Sequence, residues 1–212
     1  MDHEFWLRKW ASNEIGFHQA GVHPALARDW PALGCAPGTR VLVPLCGKSH
    51  DLRYLAAQGH EVVGIELSAI AVQDFFAESG AAPRVDETGG FERHALGRIT
   101  LYRGDFFTAS PAAVPPCEAW YDRAAFIALA PSQREAYVAT LHGLLAPGAR
   151  GLLVTVEYAT EAVRPPPFGV SREEVARCFG NVATIRELAR EVTDVKGVPG
   201  IEASYSLTWR GT

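Results

Sequence analysis

Two apolar runs of strand length, separated by one segment of helical spacing, constrain this chain more than any other feature. Arg40-Val41-Leu42-Val43-Pro44-Leu45 is the first run and Glu61-Val62-Val63-Gly64-Ile65-Glu66-Leu67 the second. Neither alternates polar with apolar, so both read as strands buried on two faces, which is the habit of parallel sheets. Between them, Asp51 to Gln58 places Leu52, Leu55 and Ala56 on one helical face, and Gly59 stops that helix. Ser68 is an N-cap for a helix over 69–79 ending at Gly80. A β-α-β-α order of this kind demands right-handed crossovers and a helix-covered sheet.

The remaining segments extend the pattern. Residues 2–11 suit a short helix with Asp2 as N-cap, which puts Trp6 and Trp10 on one face. A second helix is expected over 24–33, opening at Pro24 and ending before Gly34, followed by a Pro37-Gly38 turn. Strands are predicted at 99–102 and 117–122, and a helix at 132–145 with Ser132 and Glu135 as a capping box. Pro147-Gly148 turns the chain into the apolar strand 151–156, and Pro165-Pro166-Pro167 reads as surface loop. A helix over 171–179 opens at Ser171, and strands over 182–192 and 202–210 follow, joined by Lys196 to Gly200. That connection is too short for a crossover, so this last pair is antiparallel. The reading is an α/β, doubly wound sheet of five parallel-type strands with a terminal antiparallel pair.

Composition narrows the class. The 212 residues suit one domain, with 1–34 a helical element and 35–212 the sheet core. Hydrophobic residues at 48% and a net charge of −4 exclude a disordered chain, and no apolar stretch reaches membrane-spanning length. No basic block exists to displace counterions, which argues against nucleic acid or another polyphosphate partner. The N-terminus MDHEFWLRKW is broken by charge at once, unlike a secretory leader, so a cytoplasmic location is expected. Cys35, Cys46, Cys117 and Cys178 are scattered and read as free thiols rather than a disulfide framework or zinc set. No metal site and a monomer are the expectations.

In a doubly wound sheet, ligands bind where the carboxyl ends of the strands diverge. The first exit, Pro44-Leu45-Cys46-Gly47-Lys48-Ser49, ends like a P-loop, but Leu42 stands where the first glycine is needed. G-x-G-x-x-G is also absent, so a pyrophosphate has no seat and a nucleoside without phosphates remains. Glu66 lies 19 residues after Gly47, where a carboxylate accepts from ribose hydroxyls; the alternative is a charge favouring the helix at 69. Asp105, at the third exit, could read an adenine edge or cap a turn. Arg123, at the fourth, could pair a ligand anion or neutralise Asp122. Trp6, Trp10 and Phe17 could fold over a cationic ligand with their ring faces, or pack the first helix onto the core. His18 could be a base or structural, and Glu157-Tyr158 could line a substrate pocket or cap the sheet. G-x-S-x-G and H-E-x-x-H do not occur.

The ordered set Trp6…Trp10…Ile15-Gly16-Phe17-His18-Gln19, Val43-Pro44-Leu45-Cys46-Gly47-Lys48, Gly64-Ile65-Glu66-Leu67-Ser68 and Asp122-Arg123-Ala124 resembles the thiopurine S-methyltransferases, the bacterial branch most closely. Pro166-Pro167-Phe168 and Arg177-Cys178-Phe179 carry the resemblance to the C-terminal part. It implies a seven-stranded, Rossmann-like class I methyltransferase that uses S-adenosylmethionine and acts on a small-molecule thiol. By the same resemblance Trp6, Trp10 and Phe17 cover the cofactor, Leu45 contacts it from the first exit, and Glu66 holds its ribose; Gly47 of the same exit is also expected to contact it. Asp105 is added to that cofactor set, and Arg123 stands beside both cofactor and acceptor. Animal relatives carry a longer segment before the last strand; here Thr193 to Gly200 is short, with Lys196 its only cation, which implies a more open acceptor pocket. Bacterial members are also linked to methylation of selenium or tellurium oxyanions, the alternative acceptors. From other classes, a nicotinamide-dependent reductase lacks its glycine fingerprint, and a non-catalytic nucleoside-binding protein on the same fold stays open.

Overall fold

A computed structural model of the chain describes residues 3–159 and 163–210. In chain order it contains α1 (His3–Ala11), α2 (Pro24–Asp29), β1 (Arg40–Pro44), α3 (His50–Ala57), β2 (Glu61–Glu66), α4 (Ala69–Ala77), β3 (Arg84–Thr88), β4 (Phe91–Leu96) and β5 (Ile99–Arg103). The second half adds β6 (Cys117–Asp122), α5 (Arg134–Leu144), β7 (Leu145–Tyr158), α6 (Arg172–Phe179), β8 (Ala183–Val195) and β9 (Val198–Trp209). The N-cap expected at Asp2 lies outside the described residues.

One nine-stranded sheet runs β3-β4-β5-β2-β1-β6-β7-β9-β8. Its five central strands, β5-β2-β1-β6-β7, are parallel, and β9 and β8 close one side antiparallel. Chain order leaves β1 toward β2 on one side and toward β6 on the other, so the strand order reverses at the β1/β6 boundary. The period of two in β1 divides the core: Leu42 joins Val63, Trp120 and Leu153 on one face, and Val41 and Val43 join Val62, Tyr121 and Leu152 on the other. Each such aliphatic side chain, fully buried, contributes roughly 1.5–3 kcal/mol. Gly151 of β7 is required by close approach: a Cβ there would meet Trp120 Nε1 at 2.0 Å.

The sheet has nine strands where seven are expected, because β3 and β4 form a hairpin on the β5 edge. Their segments carry little apolar signal. They are joined by Gly89-Gly90, both with positive φ, and held by charge: Arg84 and Arg93 both pair with Asp86, and Arg103 pairs with Glu92. An outer strand protected by charged side chains does not need an apolar face.

Four boundaries also move. Pro31 converts the second half of the expected 24–33 helix into a 3₁₀ turn, Trp30–Leu33, stopped by Gly34 at φ +63°. The helix expected from 132 enters through another 3₁₀ turn, Pro131–Gln133, and the Ser132/Glu135 capping box does not form. Gln133 instead accepts from the Ala130 N–H at 3.3 Å. Pro147-Gly148 is an irregularity inside β7, where pairing jumps from Cys117–Leu145 to Ala119–Arg150. Finally, the terminal hairpin is tighter than a 196–200 loop. Lys196 (φ +54°) and Gly197 (φ +83°) make the two-residue turn alone, matching the favoured left-handed hairpin turn.

Candidate functional site

Leu45 and Gly47 both take positive φ, +46° and +53°, so the chain leaving β1 curls tightly before Ser49 caps α3 through the Asp51 N–H. A Cβ at Gly47 would stand 3.1 Å from the Trp10 indole, so the aromatic ring lies directly on this turn. The Gly47 N–H donates to Glu66 Oε2 at 2.8 Å, and the Ser68 N–H donates to Oε1 at 2.7 Å. Burial pushes the Glu66 carboxyl up, while the N–H groups of Ser68, Gly47 and Leu67 pull against it. Each oxygen keeps lone-pair capacity for a further donor.

Above this turn lies the N-terminal element. Trp6 and Trp10 each meet Phe17 edge-on with centroids 5.6 Å apart. Trp10 is buried, and Lys9 pairs with Glu14 across the bend that follows α1. Arg123 Nη1 donates to the Phe17 carbonyl at 3.2 Å, which ties this aromatic cover to the β6 exit. Arg123 does not pair with Asp122. The Asp122 carboxylate points inward, accepting from the Ala125 and Phe126 N–H groups and the Tyr137 hydroxyl. Burial raises the Asp122 carboxyl to about 6 despite those donors.

A cavity of about 960 Å³ opens over the β1/β6 boundary, lined by Trp6, Trp10, Phe17, Leu45, Gly47, Glu66 and Arg123. Seven of the expected site residues therefore share one space. Asp105 does not line it: its carboxylate caps a 3₁₀ turn through the Phe107 N–H and faces His3 Nε2 at 3.2 Å. His18 lines the cavity beside His50, and burial, Lys48 and His50 lower its pKa. The Tyr158 hydroxyl donates to the Pro167 carbonyl and braces the loop, while Glu157 pairs with Arg190.

The far half of the cavity holds residues that spacing did not single out. Asp51 is buried at 2% exposure, accepting from the His23 N–H at 2.8 Å and the Tyr121 hydroxyl at 3.0 Å. His23 Nδ1 accepts from the Ala25 N–H, capping α2, so its proton rests on Nε2, 3.3 Å from Glu202 Oε2. Their available signals were weak: His23 stands immediately before Pro24, and Asp51 lies in the first turn of α3. The rim is formed by Pro165-Pro166-Pro167, and Lys196 Nζ donates to the Arg164 and Pro166 carbonyls at 3.1 and 2.6 Å. The cation in the short hairpin turn thus holds the rim loop. Among the described residues no group of three or more His, Cys, Asp or Glu is arranged for a metal, all four cysteines are free thiols, and no helix is long and apolar enough to cross a membrane.

The arrangement suits a neutral or cationic ligand with vicinal hydroxyls at Glu66 and an electron-rich aromatic cover. The space beyond it would admit a second small molecule. Comparison with known proteins places the chain in a family. A family model described as Thiopurine S-methyltransferase (TPMT) matches residues 1–205. A protein named thiopurine S-methyltransferase from Azotobacter vinelandii is 50% identical over 195 residues, covering 92% of this chain and 88% of its own. Another of that name, from Pseudomonas aeruginosa, is 46% identical and covers 99% and 95%. Among solved structures, magnesium protoporphyrin IX methyltransferase from Synechocystis, with bound SAH, superposes with a TM-score of 0.70 at 14% identity, over 99% of this chain and 100% of that one. That likeness supports a Rossmann-like class I methyltransferase fold.

Proposed function

The chain belongs to the thiopurine S-methyltransferase family, a family of S-adenosylmethionine-dependent methyltransferases, and we propose that it methylates the sulfur of thiopurines or other aromatic or heterocyclic thiols. The observation that carries this reading is the stack of Trp10 on the Gly47–Glu66 turn, with Arg123 bordering the same cavity. The residues fit S-adenosylmethionine. Glu66 has acceptor capacity for both ribose hydroxyls. Trp6, Trp10 and Phe17 offer ring faces to a cation, an attraction of roughly 0.5–2 kcal/mol. The cavity of about 960 Å³ is large enough for donor and acceptor together. When bound, S-adenosylmethionine supplies an electrophilic methyl on a sulfonium, which leaves as a neutral thioether.

The protein's own part is then alignment and electrostatics. No strong acid is needed for a leaving group that becomes neutral. The acceptor reacts as thiolate, and the Arg123 guanidinium favours that anion while its tie to Phe17 keeps the cover closed. Holding both reactants in line is a proximity effect, for which the aromatic cover and the Lys196-braced rim exclude water.

The test is calorimetry with S-adenosylmethionine, followed in the same cell by 6-mercaptopurine and mass detection of the methylated product. Binding with a methyl gain supports the reading. Binding without it retains the cofactor and moves the acceptor to selenite, tellurite or other thiols. No binding by folded protein overturns it.

A further inference from the structure

Glu66 ends β2 and Glu202 lies in β9, and the order β2-β1-β6-β7-β9 puts four strand spacings between them. At roughly 4.8 Å per spacing that is about 19 Å, too far for both carboxylates to serve one ribose. Arg123 follows β6, two spacings from β9, or about 10 Å. The cavity of about 960 Å³ between these strands has room for a bicyclic heterocycle. Glu202 pairs in register with Val156 of β7, and both line the cavity, as do the intervening Val154, Ile127 and Pro166. Apolar walls therefore separate a cation at one end from a carboxylate at the other.

The Glu202 carboxylate is built in rather than loose. His23 Nε2 holds Oε2 at 3.3 Å, and His23 is itself fixed by capping α2 and by donating its backbone N–H to Asp51. Two residues on, Ser204 donates to Asp29 at the end of α2 at 2.6 Å, so the same strand face is fastened to the same helix twice. Glu202 keeps 23% of its side chain exposed, and among the described residues no donor engages Oε1. The cofactor site proposed around Glu66 and Trp10 does not include this group.

We propose that Glu202 is a specificity-determining contact: it accepts a hydrogen bond from a ring N–H on the edge of the acceptor remote from the reacting sulfur. The preferred acceptor is therefore a heteroaromatic thiol with an N–H donor at its far end, not a thiol of equal shape lacking one. This rests on the thiol-methylating reading above. A purine-6-thiolate retains one N–H, in its imidazole ring, and N9-methylation removes it.

The experiment titrates 6-mercaptopurine and 9-methyl-6-mercaptopurine into wild-type, Glu202→Ala and Glu202→Gln protein saturated with S-adenosylhomocysteine, and repeats the comparison as kcat/KM. Wild type should bind the parent at least tenfold more tightly than the methylated compound. Glu202→Ala should abolish that preference while its affinity for S-adenosylhomocysteine stays within twofold. Glu202→Gln, whose amide oxygen still accepts, should keep most of it. Equal preference in wild type and Glu202→Ala, or no preference in wild type, overturns the inference. Binding with the expected preference but no methyl transfer separates failure of the catalytic reading from failure of this one. Absence of any 6-mercaptopurine binding overturns both.

Discussion

Gly47 and Glu66 are joined by a 2.8 Å hydrogen bond from the glycine N–H to Oε2, so the turn after β1 and the end of β2 act as one unit. The bond fixes the carboxylate proposed to hold the cofactor ribose. Removing it loses two charge-assisted acceptors and leaves the Gly47 and Ser68 N–H groups without partners. Glu66→Ala should weaken S-adenosylmethionine binding by about 2 kcal/mol, roughly 30-fold. Glu66→Gln, which keeps one acceptor oxygen, should lose less. Calorimetry reads both, and unchanged affinity in the alanine variant would remove Glu66 from the ribose site.

The contact of Trp10 with Gly47 makes a second prediction. An alanine at 47 meets a left-handed backbone, φ +53°, at a cost of roughly 1–2 kcal/mol. Its methyl would also stand 3.1 Å from the indole and push it off the turn. Gly47→Ala should therefore lower cofactor affinity in wild type, and by less in a Trp10→Ala background. A double-mutant cycle on S-adenosylmethionine affinity tests this. Strict additivity would mean that indole and turn do not cooperate.

Much of the centre of this fold is legible in the sequence for one physical reason. The strands β1, β2, β6 and β7 are buried on both faces, and that condition writes itself into continuous apolar runs such as Val41 to Val43. The β3–β4 hairpin escapes because its segments are mostly charged, Asp86 pairing with Arg93 across the strands and with Arg84 within β3, which in one dimension looks like solvated loop. The same division holds in the site. Glu66 and Gly47 are readable because one β-α-β unit fixes their spacing. Glu202, His23 and Asp51 come together from β9, the start of α2 and α3, and no local pattern links residues so distant in the chain. Asp105 shows the reverse: its position at a strand exit suggested a ligand contact, and the carboxylate instead closes its own turn.

Arg123 has two attachments that kinetics can separate. Its guanidinium borders the cavity and also donates to the Phe17 carbonyl. Were its role only to tether the cover, Arg123→Ala would weaken cofactor binding and turnover alike. Stabilisation of the acceptor anion predicts a larger fall in kcat, roughly 100-fold, with cofactor affinity within about threefold. Arg123→Lys keeps the charge but not the planar fork and should fall between. Steady-state kinetics with calorimetry on the same preparations decides, and equal turnover in the alanine variant would take Arg123 out of the mechanism.

Asp122, next in the chain, governs stability through pH. Its carboxyl rises from 3.8 in the unfolded chain to about 6 in the buried site. A raised folded value means the native state binds the proton more tightly than the unfolded chain. The contribution is complete below about 3.8, declines as pH climbs, and is gone above about 6. The rise from 3.8 to about 6 corresponds to a change on the order of 3 kcal/mol across that window. Asp122→Asn cannot titrate. Its stability relative to wild type should therefore improve by about that amount between pH 4 and pH 6 and level off beyond, whatever the fixed cost of exchanging an oxygen for an amide beside the Tyr137 hydroxyl. Urea unfolding of both proteins across pH 4 to 8 measures the difference. A flat difference would show that Asp122 stays ionised, its burial outweighed by the donors of Ala125, Phe126 and Tyr137.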